Sequence, residues 1–98
     1  MENLEKLTQT AEIIKSMGTP LRLKILFKIL EQGKIQPVNL TNELKEDSAS
    51  ISRELRIMKN AGILEKMKDQ KGVATFYSIK SEIVKDMLNL LKEKNKNQ

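Results

Sequence analysis

The chain has 98 residues, with 18 Lys/Arg against 13 Asp/Glu, and contains neither cysteine nor histidine. This length corresponds to one domain, so we expect residues 1–98 to form a single domain with a flexible tail over about 92–98. Without Cys and His there are no disulfides or thiolate ligands, and the commonest general base and metal ligand are missing. We therefore expect no enzyme activity, no cofactor and no metal site.

No stretch is apolar enough to span a bilayer, and the N-terminus lacks a signal-peptide layout. Both observations predict a cytoplasmic protein with no membrane partner.

The excess positive charge is concentrated in one part of the chain. Residues 48–80 hold seven Lys/Arg and three Asp/Glu, whereas residues 1–47 hold seven of each. A concentrated positive field suits a polyanion such as nucleic acid. Charge alone leaves open the alternative of a solvated lysine-rich surface.

Helical signals dominate the first half of the chain. Apolar residues at helical spacing predict a first helix over about 3–17. Thr19 is a natural N-cap for a second helix over about 20–32, which Gly33 ends. A short third helix is expected over about 37–45.

The second half changes from helical to alternating periodicity. Asp47 can cap a fourth helix over 48–61. Alternation then predicts two strands, over 63–68 and 73–79, joined by a turn of about four residues. Ser81 can cap a last helix.

This order of elements, mainly α with a β-hairpin wing, is that of a winged helix-turn-helix, with the fourth helix as its recognition helix. The face of that helix opposite Ile51, Leu55 and Met58 carries small residues near its start and then two arginines, which suits a DNA major groove. The hairpin lysines form a second contact. The residues expected to bind double-stranded DNA are Ser48, Ala49, Ser50, Ser52, Arg53, Arg56, Lys68 and Lys71. An ordinary solvated helix face and a lysine-protected strand edge are the alternatives.

The first and last helices carry apolar arcs wider than one core-facing stripe requires, which predicts a homodimer. The interface residues expected are Leu4, Leu7, Ile14, Met87, Leu90 and Leu91. A two-fold dimer would place two recognition helices roughly 34 Å apart, facing successive major grooves of an inverted repeat. The alternative is that both helices wrap a compact monomer.

Four short segments carry a resemblance to a known family. Residues 18–26, GTPLRLKIL, resemble the P-x-R-L-x-I-L opening of ArsR/SmtB-type transcriptional regulators, and residues 47–55 resemble their recognition-helix segment. Residues 59–64 are similar to the exit from that helix, and Gly72 with residues 77–79 resembles the wing. The resemblance spans about residues 10–91. It implies a dimeric DNA-binding regulator whose contacts include Ser48, Ser50, Ser52, Arg53 and the wing lysines.

The family's metal-sensing sites do not carry over. Many members bind metals through Cys near the helix that precedes the recognition helix, or through Asp/His pairs on the last helix. Residues 36–40 contain no thiol here, and the last helix offers Glu82, Asp86 and Glu93 without a histidine. The resemblance therefore implies no metal ligand set and leaves any small-molecule effector unidentified.

Three functions remain open on the sequence alone. The first is a sequence-specific dimeric regulator, a repressor that occludes a promoter. The second is a non-specific architectural DNA binder, which would bind any duplex equally. The third is a winged helix that mediates protein–protein interaction. Winged helices of the MarR type share the architecture, so they are the alternative to the ArsR/SmtB type.

Overall fold

The structure, a computed structural model, describes residues 3–96. These residues form five α-helices and one two-stranded antiparallel sheet. The elements are α1 (Leu4–Met17), α2 (Pro20–Gln32), α3 (Pro37–Leu44), α4 (Ser48–Asn60), β1 (Leu64–Lys68), β2 (Thr75–Ile79) and α5 (Glu82–Asn95). The predicted fold class, a mainly α winged helix-turn-helix with a β-hairpin wing, is confirmed. Within residues 3–96 no helix has the length and apolar character needed to cross a membrane.

The capping residues place the helix ends close to where the sequence predicted them. The Thr19 hydroxyl accepts a hydrogen bond from the Arg22 N–H at 3.2 Å, and Gly33 ends α2 with a φ of 86°. Ser81 caps α5 by accepting from the Val84 N–H at 3.3 Å. Helix α3 ends at Leu44, one residue earlier than predicted, because Lys45 adopts a left-handed φ of 56°.

The core lies where α2, α4 and α5 face the hairpin. In α4, Ile51, Leu55 and Met58 are buried, as the helical spacing predicted. These three residues pack in one cluster with apolar residues of every other helix and strand. The complete core consists of Met17, Ile25, Leu26, Ile29, Ile35, Leu40, Ile51, Leu55, Met58, Ile63, Leu64, Tyr77, Ile79, Val84 and Leu88. This core fixes one face of α4 and leaves the opposite face to solvent.

The hairpin loop is longer than predicted. The strands pair from Leu64 with Ile79 to Lys68 with Thr75, so β2 begins two residues later than expected and six residues, 69–74, connect the strands. The loop is closed by hydrogen bonds from the Asp69 N–H to the Ala74 carbonyl at 3.0 Å and from the Val73 N–H to the Asp69 carboxylate at 2.8 Å. Because these bonds hold residues 73 and 74 in the loop, Val73 does not join the strand.

The last helix extends further than its sequence suggested. Helix α5 continues through Asn95, so residues 92–95, which we assigned to a flexible tail, are helical. Lys92 and Lys94 in the last turn favour this extension, because cations stabilise the negative end of the helix dipole. The rest of that predicted tail includes residues 97–98, which lie outside the described residues.

Candidate nucleic-acid interface

The outward face of α4 is a row of exposed polar side chains. Ser52, Arg53 and Arg56 are exposed, as are Ser48 and Ala49 in the first turn. All five belong to the set that the sequence assigned to DNA contact. Ala49, Arg53 and Arg56 stand opposite the buried stripe of α4, and Ser48 and Ser52 lie beside it, so the packing of α4 leaves this face available.

The start of α4 is fixed by its own cap. The Asp47 carboxylate accepts hydrogen bonds from the Ala49 and Ser50 N–H groups at 2.8 and 3.1 Å, and the Ser50 hydroxyl donates to it at 2.8 Å. The Ser50 hydroxyl, followed by its N–H, lowers the pKa of Asp47 below the usual aspartate range. Ser50, which the sequence assigned to DNA, therefore uses its hydroxyl to order the first turn.

Glu54 is buried and ion-paired, a role that was not predicted from the sequence. It is only 8% exposed, and its Oε1 lies 2.6 Å from Arg22 Nε, while its Oε2 lies 3.4 Å from Arg53 Nε. The hydrogen bond from Arg22 lowers the pKa of Glu54 most, against the opposing effect of burial. A signal was present in the sequence, because Glu54 falls in the helical series 51, 54, 55 and 58 that is otherwise apolar. An acid in such a stripe indicates a buried ion-pair partner.

A cationic cleft of about 330 Å³ lies between α4 and the base of the wing. It is lined by Pro37, Ser52, Leu55, Arg56, Lys59, Lys66 and Tyr77. No carboxylate lines it, and within residues 3–96 none of its three cations forms an ion pair. Lys59 and Lys66 were not among the DNA contacts predicted from the sequence. The spacing of Ser52, Arg56 and Lys59 at i, i+4 and i+7 could have indicated a shared helix edge.

The two wing lysines have different surroundings. The Lys68 ammonium donates to the Thr75 hydroxyl at 2.9 Å at the base of the loop, whereas Lys71 is exposed in the loop itself. Gly72 follows with a φ of 72°, a left-handed conformation that favours glycine. The Val73 N–H is the main cause of the lowered pKa of Asp69, so this carboxylate stays charged while it orders the loop.

Two helices expose the apolar residues that the sequence assigned to a dimer interface. Leu4, Leu7 and Ile14 of α1 are 78, 42 and 53% exposed, and Leu90 and Leu91 of α5 are 57 and 41% exposed. Met87 differs from the others, because it is half-buried against the core. Large exposed apolar side chains on two helices are typical of an interaction surface.

Over residues 3–96 no group of three or more Asp and Glu side chains converges closely enough to hold a metal ion.

The known proteins described below, to which this chain is similar, are transcription regulators. No family model matches the chain. An uncharacterised HTH-type transcriptional regulator of Methanocaldococcus jannaschii is 38% identical over 92% of this chain and 99% of its own length. The crystal structure of the transcriptional repressor PagR of Bacillus anthracis superposes with a TM-score of 0.85 at 26% identity, over 91% of this chain and 99% of that chain. A homodimeric winged helix-turn-helix DNA-binding domain from Mycobacterium bovis, a possible ArsR-family regulator, shares the fold with a TM-score of 0.81 at 22% identity, over 95% of this chain and 83% of that chain.

Proposed function

The chain belongs to the ArsR/SmtB-type winged helix-turn-helix transcriptional regulators, and from this premise we propose that it is a homodimeric repressor that binds an inverted-repeat operator. The observation that carries the proposal is the exposed polar face of α4, continued by the cationic cleft and the wing. It acts by binding alone, without a catalytic site, on double-stranded DNA in the cytoplasm.

The recognition helix supplies the sequence-reading contacts in this proposal. Arg53 and Arg56 are exposed on the face opposite the core, and an arginine in the major groove can donate two hydrogen bonds to one guanine. Ser48, Ala49 and Ser52 are short enough to let the helix approach the base edges. Ser50 contributes by ordering the first turn through Asp47.

The cleft and the wing supply sequence-independent contacts to the backbone. Lys59 of α4 and Lys66 of β1 line the cleft between the helix that enters the major groove and the hairpin that reaches the neighbouring minor groove. A phosphodiester strand separates those two grooves, and these two lysines, which form no ion pair within residues 3–96, suit its negative charge. Lys71 at the exposed loop and Lys68 at its base extend the contact to the minor groove.

The homodimer is supported by the exposed apolar residues of α1 and α5. Burying Leu4, Leu90 and their neighbours against a second copy would remove a large apolar surface from water, at about 25 cal/mol for each Å². The homodimeric state of the fold relative from Mycobacterium bovis favours the same assembly. A two-fold axis makes the operator an inverted repeat.

Metal sensing is not part of the proposal. Cys and His are both absent from the sequence, so the thiolate and imidazole ligands that zinc sites use are missing.

The proposed preference for double-stranded DNA is tested by titrating the protein into labelled duplex DNA, its single strands and duplex RNA of the same sequence. The titrations are made at about 150 mM salt, where non-specific contacts are weakened. We expect clear preference for duplex DNA, because the few aromatic residues provide no stacking platform for unpaired bases. Equal or tighter binding of single strands or RNA would contradict the proposal. No binding to any nucleic acid would favour a protein-interaction role.

A further inference from the structure

Glu54 lies directly beneath the exposed face of the recognition helix and contacts two arginines with its two oxygens. Oε1 is 2.6 Å from Nε of Arg22 and Oε2 is 3.4 Å from Nε of Arg53. The Arg22 side chain is largely buried, at 18% exposure, whereas the Arg53 side chain is 58% exposed on the face proposed to read DNA. The carboxylate therefore joins a buried cation to an exposed one.

A charged residue at this place is not required by the core. Position 54 lies in the buried stripe of α4, where an apolar side chain would pack without desolvating a charge. Replacing a buried ion pair by well-packed apolar residues is often neutral or stabilising. The low pKa of Glu54 keeps the group ionised at neutral pH. Stability alone does not explain why a carboxylate is found here.

Arg22 holds the carboxylate in a fixed orientation. Its Nη1 donates to the Ser16 carbonyl at 3.4 Å, and its backbone N–H is bound by the Thr19 cap at 3.2 Å. Arg22 is thus anchored to the end of α1 and the start of α2. With Oε1 engaged by this anchored guanidinium, Oε2 is the oxygen that faces Arg53.

We propose that Glu54 is a positioning residue for DNA recognition, which restrains the Arg53 guanidinium through Oε2 and so sets the base preference of the recognition helix. The inference rests on the proposed function, because it assigns a role within the same DNA-binding surface. Arg22 acts through Glu54 and does not itself contact DNA.

Two physical effects of Glu54 favour discrimination between the specific DNA site and other DNA sequences. Restraining a long side chain before binding reduces the conformational entropy that it loses in the complex. The carboxylate also offsets part of the Arg53 charge, which weakens sequence-independent attraction to phosphates. Both effects raise the ratio of specific to non-specific affinity. We expect Glu54→Gln to lower this ratio about three- to tenfold, the range expected for one immobilised side chain.

The test is a double-mutant cycle of Glu54→Gln and Arg53→Ala. Affinity is measured for the best duplex from a random-pool selection and for a scrambled duplex. The expected result is that Glu54→Gln lowers discrimination in the wild-type background and has no further effect when Arg53 is already alanine. Equal losses in both backgrounds would overturn the inference, because a merely structural role acts independently of Arg53. Glu43→Gln is the matched control, since it removes the same charge from the Lys28–Glu43 pair that joins α2 to α3 at 3.4 Å.

A measurement on the wild-type protein covers the case in which Glu54→Gln does not fold. The order parameters of the Arg53 and Arg56 Nε–H groups are compared by NMR in the free protein. Both arginines are exposed on α4, but within residues 3–96 only Arg53 has a carboxylate partner. Higher order at Arg53 supports the restraint, and equal order would refute it. Failure of the proposed function is distinguishable, because the wild type itself would then bind no DNA or would bind the selected and the scrambled duplex equally.

Discussion

Arg22 and Glu54 join the second helix to the recognition helix through a 2.6 Å contact between Nε and Oε1. The two residues are 32 positions apart in sequence, and the contact is largely shielded from water. Because Arg22 also donates to the Ser16 carbonyl of α1, one side chain links three helices. The apolar core fixes the orientation of α4, and this pair ties the DNA-binding face of α4 to α1 and α2.

The ion pair predicts a specific pH dependence of stability. The Arg22 hydrogen bond lowers the pKa of Glu54 in the folded state, so the folded protein holds the glutamate proton less tightly than the unfolded chain does. The stabilisation is therefore complete above the usual glutamate pKa and is lost as the pH falls through the lowered value. We expect the stability gap between wild type and Glu54→Gln, measured by urea unfolding, to be constant near neutrality and to shrink in acid.

Glu82→Gln is the control for that series. Glu82 has a side chain that is 81% exposed, so its replacement should change stability little at any pH. A gap between wild type and Glu54→Gln that stays constant in acid would show that the carboxylate of Glu54 is not stabilised by Arg22.

Arg53→Ala should abolish most sequence-specific binding without unfolding the protein. The side chain is 58% exposed and its removal leaves no cavity in the core. We expect affinity for the best duplex to fall about ten- to a hundredfold, as for the loss of one bidentate base contact. Thermal unfolding should be unchanged, and Lys24→Ala on α2 should leave binding unaffected. A loss below about twofold would mean that the recognition helix is wrongly placed.

The cap and periodicity signals of the recognition helix were sufficient to predict its position from the sequence. Asp47 and the stripe of Ile51, Leu55 and Met58 are local features, and local features also predicted the limits of α2. The Arg22–Glu54 contact was not predicted, because it depends on how two distant helices cross. The same limitation applies to the cleft, since Lys66 meets α4 only when the hairpin has folded against it.

Lys66→Ala tests the contribution of the cleft. If Lys66 contacts a phosphate, its removal should weaken binding to all duplexes equally and reduce the slope of log affinity against log salt by about one. The control is Lys92→Ala in the last turn of α5, which should leave the slope unchanged. A loss confined to the best duplex would instead indicate a base contact, and an unchanged slope would remove Lys66 from the interface.

Leu90→Glu tests the proposed dimer interface. The Leu90 side chain is 57% exposed, so the substitution should leave the monomer folded, but a dimer would have to bury the new charge. We expect monomers by sedimentation velocity at concentrations where the wild type is dimeric. Val73→Glu in the wing, where the valine is 77% exposed, should leave the dimer intact. A dimeric Leu90→Glu protein would place the interface elsewhere.

Sequence-specific recognition of an inverted repeat is the central claim, and selection of bound duplexes from a random pool tests it most directly. The selection is run at about 150 mM salt so that phosphate contacts alone retain little DNA. We predict recovery of an inverted repeat whose half-site centres are about 10 base pairs apart, one helical turn of DNA. Recovery of bound duplexes without a shared motif would contradict the claim and indicate an architectural DNA binder.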